Sequence, residues 1–107
     1  AVIRRLTELH ERHAAEQVAE LTRLRDSPEG DSSIQGTVNK LVVVLRDWLS
    51  GLDRDVLAAV RDGEEALRDK YIEALAEESD SGGGRVAALL KVQMQAINLE
   101  IARLPRA

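Results

Sequence analysis

Several residue types are absent or rare in this sequence of 107 residues, and each absence narrows the possible functions. There is no cysteine, so disulfides, thiolate metal sites and cysteine nucleophiles are excluded together. One tryptophan, one tyrosine and no phenylalanine leave almost no surface on which nucleic-acid bases could stack. No apolar run approaches the roughly 18 residues that a membrane-spanning helix needs. We therefore expect an aliphatic core, and neither nucleic acid nor a membrane as a partner.

Charges of both signs are interspersed along the chain. The 15 Lys and Arg residues and 19 Asp and Glu residues give a net charge of -4, without the basic face typical of nucleic-acid binding. The length suits a single domain over residues 1–107, and the apolar content of 44% is ordinary for a globular protein. Because no secretory signal is visible at the N-terminus, we expect a cytoplasmic protein.

Apolar residues recur at steps of three and four in four segments, at about residues 2–25, 33–50, 54–78 and 85–104. Helices of similar length joined by short loops favour an antiparallel bundle, so the predicted fold class is an all-α four-helix bundle. The run LVVVL at residues 41–45 makes the second helix apolar on all sides, which is typical of a helix that lies inside a bundle or that faces both its own core and a partner. A β-strand is the alternative for this run, but the helical spacing continues on both sides of it.

A carboxylate occupies one position in the apolar face of the third helix. Val60, Leu67 and Tyr71 follow the helical spacing, and the residue that completes the series between Val60 and Leu67 is Glu64. Polar residues also interrupt the apolar faces of the first and fourth helices near their centres. Because the centres of antiparallel helices of equal length lie at one height, we expect these residues to meet Glu64 in one polar layer. The predicted layer comprises His10, His13, Glu64 and Gln93.

An unpaired carboxylate in an apolar interior costs several kcal/mol, so Glu64 must be compensated. It could bind a metal ion, pair with a protonated His10 or His13, take up a proton, or turn toward solvent. A structural hydrogen-bonded pair is the commoner arrangement of a carboxylate and a histidine in a bundle core. His10 and His13 lie one helical turn apart, a spacing that can place two imidazoles on one ion but also occurs among surface histidines. Glu64, His10 and His13 are therefore the candidate metal ligands.

No catalytic motif accompanies these residues. The glycines at positions 82–84 follow no strand and carry no lysine pattern, so they do not form a phosphate-binding loop. The serine, histidine and aspartate residues show no nucleophile-elbow context. We expect no catalytic residues, no organic cofactor and no small-molecule substrate, with iron or another divalent metal as the one cofactor to consider.

The middle of the chain carries conspicuous residues in a distinctive order. They are Gly36, Trp48, Gly63, Glu64, Glu65, Tyr71, Ala74 and Leu75. In this order the run from Gly36 to Glu77 resembles a family of bacterial ferritin-like four-helix-bundle proteins of unassigned function. Members carry a tryptophan near the end of one helix and, after a short turn, a helix with Gly-Glu-Asp, a tyrosine and Ala-Leu. The segment HERHAAEQVAEL is similar to the family's second helix, and residues 85–104 are similar to its last.

The resemblance implies a ferritin-like bundle, in which facing helices can hold two metal ions through inward glutamates and Glu-x-x-His pairs. It makes Glu64 the inward carboxylate. This sequence departs from that pattern, because its last helix has no histidine and its first has no Glu-x-x-His. The family's own first helix is expected to be absent before Ala1. We therefore expect that a complete di-iron site cannot be assembled within one chain.

Three functions are compatible with these features. The preferred interpretation is a non-catalytic or vestigial ferritin-like bundle that self-associates as a homodimer through apolar helix faces. The alternative is a ferritin-like protein that binds or oxidises iron through Glu64 and His10 or His13. A third interpretation is a helical adaptor that offers Val43 and Val44 to a different protein.

Overall fold

Four α-helices account for almost all of the chain that the computed structural model describes, namely residues 2–26, 32–52, 57–81 and 84–104. They are α1 (Val2–Asp26), α2 (Ser32–Gly51), α3 (Leu57–Ser81) and α4 (Gly84–Arg103). The predicted all-α class is confirmed, and the predicted helix ends lie within three residues of those observed. The one exception is the predicted start of the third helix at residue 54, which lies outside the described residues. None of the described helices is both long and apolar enough to cross a membrane.

Neighbouring helices run antiparallel, as their side-chain contacts show. Arg5 and Glu20 at the two ends of α1 bind Glu100 and Arg85 at the opposite ends of α4. The same reversal relates α2 to α3, because Thr37 binds Glu77 and Trp48 binds Glu64. Each helix therefore packs against the helices before and after it in the chain, and α1 closes the ring against α4.

The core consists of two apolar clusters along the bundle axis. The smaller cluster contains Leu6, Leu52, Val60 and Leu104, which come from one end of each helix or the residue directly after it. The larger cluster contains apolar residues of all four helices. The indole of Trp48 packs against both clusters, so it marks the level at which they meet. Aliphatic side chains form nearly the whole core, as the scarcity of aromatic residues requires.

The apolar faces predicted for the helices are buried, with small deviations at their edges. Ile3 on α1, Trp48 on α2 and Leu75 on α3 are half-buried rather than enclosed. On α2 the run LVVVL is less exposed than its pattern suggests. Three of its residues are buried and Val44 is half-buried, so only Val43, at 59% exposure, faces outward. The bundle's own core therefore covers most of the circumference of α2.

Candidate functional site

Glu64 is fully enclosed at the level where the two apolar clusters meet. Its Oε2 atom lies 2.7 Å from Nε2 of His10 on α1. The same oxygen accepts a hydrogen bond of 2.6 Å from Nε1–H of Trp48 on α2. The prediction that Glu64 points into the bundle beside an imidazole is confirmed. One carboxylate oxygen thus joins three helices.

Trp48 reaches Glu64 because Gly63, the residue before Glu64 on α3, has no side chain. A Cβ atom added to Gly63 would overlap the six-membered ring of the Trp48 indole. The absence of a side chain at Gly63 lets the indole lie against the α3 backbone and point its N–H toward Glu64. Gly63 therefore leaves the space that the indole occupies, and Glu64 accepts the hydrogen bond from the indole N–H.

His13 lies beside this contact and is also buried. Its ring centroid is 6.1 Å from that of His10, and the two rings are inclined at 61°. Burial, with a smaller contribution from the charge of His10, lowers the pKa of His13 from 6.5 to about 4. His13 is therefore a neutral imidazole at pH 7, and its Nδ1 atom has no hydrogen-bonding partner among the described residues.

A second buried network lies further along the bundle. The amide nitrogen of Gln17 donates to the Tyr71 hydroxyl and to Oε1 of Gln93, both at 2.8 Å. The Tyr71 hydroxyl donates to the same Gln93 oxygen at 2.9 Å. Burial raises the pKa of Tyr71 well above its ordinary value, so the phenol keeps the proton that it donates. Each of these three side chains comes from a different helix.

The two networks repeat with heptad spacing along α1 and α3. His10 contacts Glu64 and Gln17 contacts Tyr71, so both partners advance by seven residues from one contact to the next. An equal advance in the same direction means that these diagonal helices run parallel. The rise of an α-helix separates the two contacts by about 10 Å.

Gln93 therefore does not complete a single polar layer with Glu64, as the sequence predicted. Its hydrogen bonds go instead to Gln17, Tyr71 and Glu16, and its amide nitrogen also donates to the backbone carbonyl of His13. Two networks replace the single layer because Gln17 and Gln93 are close enough to bond each other directly. Gln17, a buried polar residue of α1, is not one of the four residues of the predicted layer.

Several buried polar atoms keep unused hydrogen-bonding capacity. They are Oγ1 of Thr7, Nδ1 of His10, Nδ1 of His13, Oε1 of Gln17 and Oε1 of Glu64, none of which has a partner among the described residues. Buried polar atoms are usually satisfied, so this concentration is unusual. Such atoms can be satisfied by an enclosed water molecule, and the carboxylate and imidazole atoms can also act as metal ligands.

The three candidate metal ligands are only partly brought together. His10 and Glu64 are in direct contact, which occupies Nε2 of His10, while His13 lies one turn further along α1. In the described ranges, no group of three or more His, Cys, Asp or Glu residues has the arrangement of a metal site. Metal binding by these residues stays a prediction.

Two buried carboxylates were missed by reasoning from the sequence. Glu20 binds Arg23 on its own helix and Arg85 on α4, while Glu100 on α4 binds Arg5 on α1. Burial alone would raise the pKa of Glu20, but hydrogen bonds from Arg23 and Arg85 outweigh it and lower the pKa. Glu20 and Glu100 share one feature in the sequence, an arginine three residues further along the same helix. This spacing is typical of an ion pair within a helix and does not by itself indicate burial.

Substitution of Gly63 by alanine tests whether the position of the Trp48 indole depends on the absence of a side chain at Gly63. The added methyl group would occupy space filled by Trp48, so the ring should move and lose its hydrogen bond to Glu64. We expect the free energy of unfolding to fall by about 1–3 kcal/mol. The emission spectrum of the single tryptophan should shift at the same time. Urea denaturation and fluorescence measure the two effects.

Gly36→Ala on α2 is the matched control. An added Cβ at Gly36 meets no atom within 4 Å, so this helical substitution should leave the emission unchanged and raise stability by about 0.5–1 kcal/mol. Identical emission spectra for Gly63→Ala and the wild type would show that the indole does not depend on Gly63.

His13 should make stability depend on pH. Its pKa is about 4 in the folded protein and about 6.5 when unfolded, so the unfolded chain binds the extra proton between these values. Because the folded protein favours the neutral form of His13, the contribution of this residue to the free energy of unfolding is complete above pH 6.5. It is lost as the pH falls toward 4. We expect the wild type to lose about 2 kcal/mol more than His13→Gln over this range, allowing for residual solvent screening. Parallel curves of unfolding free energy against pH would contradict this role of His13.

Comparison with known proteins adds a family but no function. The sequence model described as "Domain of unknown function (DUF2383)" matches residues 1–77. This match covers α1, α2 and most of α3, including His10, Trp48, Gly63 and Glu64. No curated protein matches the chain, and no solved structure matches it. Because the match extends over more than half of the sequence, the chain belongs to the DUF2383 family.

Proposed function

We propose that this chain is a cytoplasmic, ferritin-like helical bundle without catalytic activity, which self-associates through apolar residues on the outside of its helices. The absence of catalytic activity is supported by the position of Glu64. Its Oε2 atom is held inside the bundle by His10 and Trp48, two donors from the protein itself. A carboxylate so placed serves to hold helices together.

The surface supports the same conclusion. A groove of about 750 Å³ lies between α2 and α3, where Leu41, Val43 and Ala74 line it together with charged residues. Neither His10 nor Glu64 lines this groove. This groove is therefore separate from the buried contact between His10 and Glu64.

Self-association is supported by large apolar side chains on the outside of three helices. Among the described residues these are Val43, Ile72, Val92 and Leu99, with exposures from 49% to 65%. Single exposed apolar residues are common in monomers, but several on one small bundle favour burial against another copy. A symmetric homodimer is the commonest way for a soluble chain to bury such a surface.

Light scattering on the purified protein during size-exclusion chromatography tests self-association. We expect the molar mass of two chains at high protein concentration, falling toward that of one chain as the protein is diluted into the micromolar range. Exposed apolar surface gives the physical reason, because its burial is the main favourable contribution to association. A single-chain mass at every concentration would exclude self-association.

The alternative function is iron binding in a ferritin-like bundle. It is favoured by three buried atoms that have no hydrogen-bonding partner among the described residues, namely Oε1 of Glu64 and Nδ1 of His10 and His13. Carboxylate and imidazole groups on facing helices are the ligands that ferritin-like bundles use for two-metal sites. Further ligands would have to come from another helix or from a second copy of the chain.

Titration with ferrous iron in air separates the two functions. The non-catalytic bundle should neither bind iron in stoichiometric amounts nor develop the ultraviolet absorbance of oxidised iron. An iron protein should show both, and Glu64→Gln should abolish them because an amide is a much weaker ligand. The Glu65→Gln variant is the control, because Glu65 neighbours Glu64 but is only half-buried. Binding that survives Glu64→Gln would exclude Glu64 as a ligand.

A further inference from the structure

α4 carries a second apolar stripe in addition to the face that it buries in the core. The α4 stripe, as we call it here, consists of Leu89, Val92, Ala96 and Leu99. Val92 and Leu99 are the two most exposed large apolar residues of the described chain, at 65% and 64%, while Leu89 and Ala96 are half-buried. The residues follow one another at steps of three, four and three. This is the spacing with which one helix contacts another along its length.

Charges lie at the two ends of the α4 stripe but not within it. Arg85 precedes Leu89 by four residues, and Arg103 follows Leu99 by four. Arg85 contacts Glu20 at 3.2 Å and Arg103 contacts Glu100 at 3.5 Å, so both arginines are paired with carboxylates of their own chain. A partner could therefore approach along the stripe without removing an unpaired charge from water.

The order of residues in the α4 stripe is nearly symmetrical about its centre. Counted from Met94, Leu89 and Leu99 lie five residues away on either side, and Val92 and Ala96 lie two residues away. An antiparallel copy centred on the same point would place leucine opposite leucine and valine opposite alanine. Such self-complementarity is what a two-fold symmetric contact requires, because the same surface must serve both partners.

Resting on the self-association proposed above, we propose that the occupant of the α4 stripe is the α4 stripe of a second copy, packed antiparallel about a two-fold axis that crosses the stripe at the height of Met94 along the helix. In this register Leu89 pairs with Leu99 of the second copy, and Val92 pairs with Ala96. Successive residues of each stripe are three or four positions apart in alternation, as in an antiparallel coiled coil. Each copy contributes the same residues, so the contact closes and forms a dimer rather than a filament.

The other exposed apolar residues are less suited to this contact. Val43 on α2 is surrounded on its exposed face by Asn39, Lys40, Arg46 and Asp47. Ile72 on α3 lines a shallow recess that also contains the charged residues Asp69, Lys70 and Glu73. Burial of either surface would remove charged groups from water at considerable cost. On the α4 stripe, by contrast, Val92 and Leu99 are the two most exposed large apolar residues, and Ala96 lies between them on the helix face.

The length of the stripe sets the expected affinity. From Arg85 to Arg103 the helix rises about 27 Å, so two such helices in contact bury an area at the small end of specific interfaces, below about 1,200 Å² in total. Interfaces of this size are typically weak. We expect a dimer that dissociates at micromolar concentrations.

Disulfide trapping tests both the surface and the register, and the natural sequence has no cysteine to interfere. The double variant Leu89→Cys with Leu99→Cys should form a covalent dimer under mild oxidation, because each new thiol faces the other position on the second copy. Within one chain the two positions are about 15 Å apart along the helix, too far for an internal disulfide.

The single variant Leu99→Cys is the matched control. In the proposed register its two copies lie about 15 Å apart across the two-fold axis, so it should not become cross-linked. Efficient cross-linking of the single variant would indicate parallel packing and overturn the proposal. Absence of cross-linking in the double variant, when the wild type is a dimer, would also overturn it while leaving self-association in place.

Introduction of a charge into the α4 stripe provides a second test. Leu99→Glu should convert the dimer to a monomer in light scattering, whereas Val43→Glu, at a similarly exposed position on α2, should leave the dimer intact. Circular dichroism verifies that both variants keep their helical content. The opposite pattern would assign the interface to α2, and a monomeric wild type would exclude self-association itself.

Discussion

The carboxylate of Glu64, enclosed between two apolar clusters and bound by His10 and Trp48, is the interaction on which the arrangement of the core depends. An unpaired carboxylate at this position would cost several kcal/mol, a large fraction of the stability of a domain of this size. Its two donors lie on two other helices. A slip of either helix by one turn would remove a donor and restore that cost, so the interaction fixes the register of three helices at once.

The second network applies the same constraint one heptad further along. Gln17, Tyr71 and Gln93 satisfy much of one another's hydrogen-bonding capacity, and Gln93 also binds the backbone of α1. An aliphatic core alone specifies helix register poorly, because many leucine and valine pairings are close in energy. Polar groups that must find their partners discriminate between these alternatives. The polar residues therefore account for a defined arrangement of helices that the apolar residues stabilise.

The outer surface complements this interior. Along the edge between α1 and α4, Glu20 and Glu100 bind arginines and join the first helix to the last. The family match ends at residue 77, before α4 begins. The α4 stripe therefore lies in the part of the chain that the family description does not cover. Self-association through α4 is thus a proposal about this sequence in particular.

The sequence by itself determined the four helices, their apolar faces and the burial of Glu64, because these depend on helical periodicity, which any single helix displays. It also indicated that His10 lies near Glu64. Only the tertiary structure decided that Trp48 completes the contact, that Gln93 binds Gln17 rather than joining Glu64, and that α2 is largely covered. Those outcomes depend on the relative heights and rotations of packed helices, which are set by side chains from several helices at once and leave no pattern within any one of them.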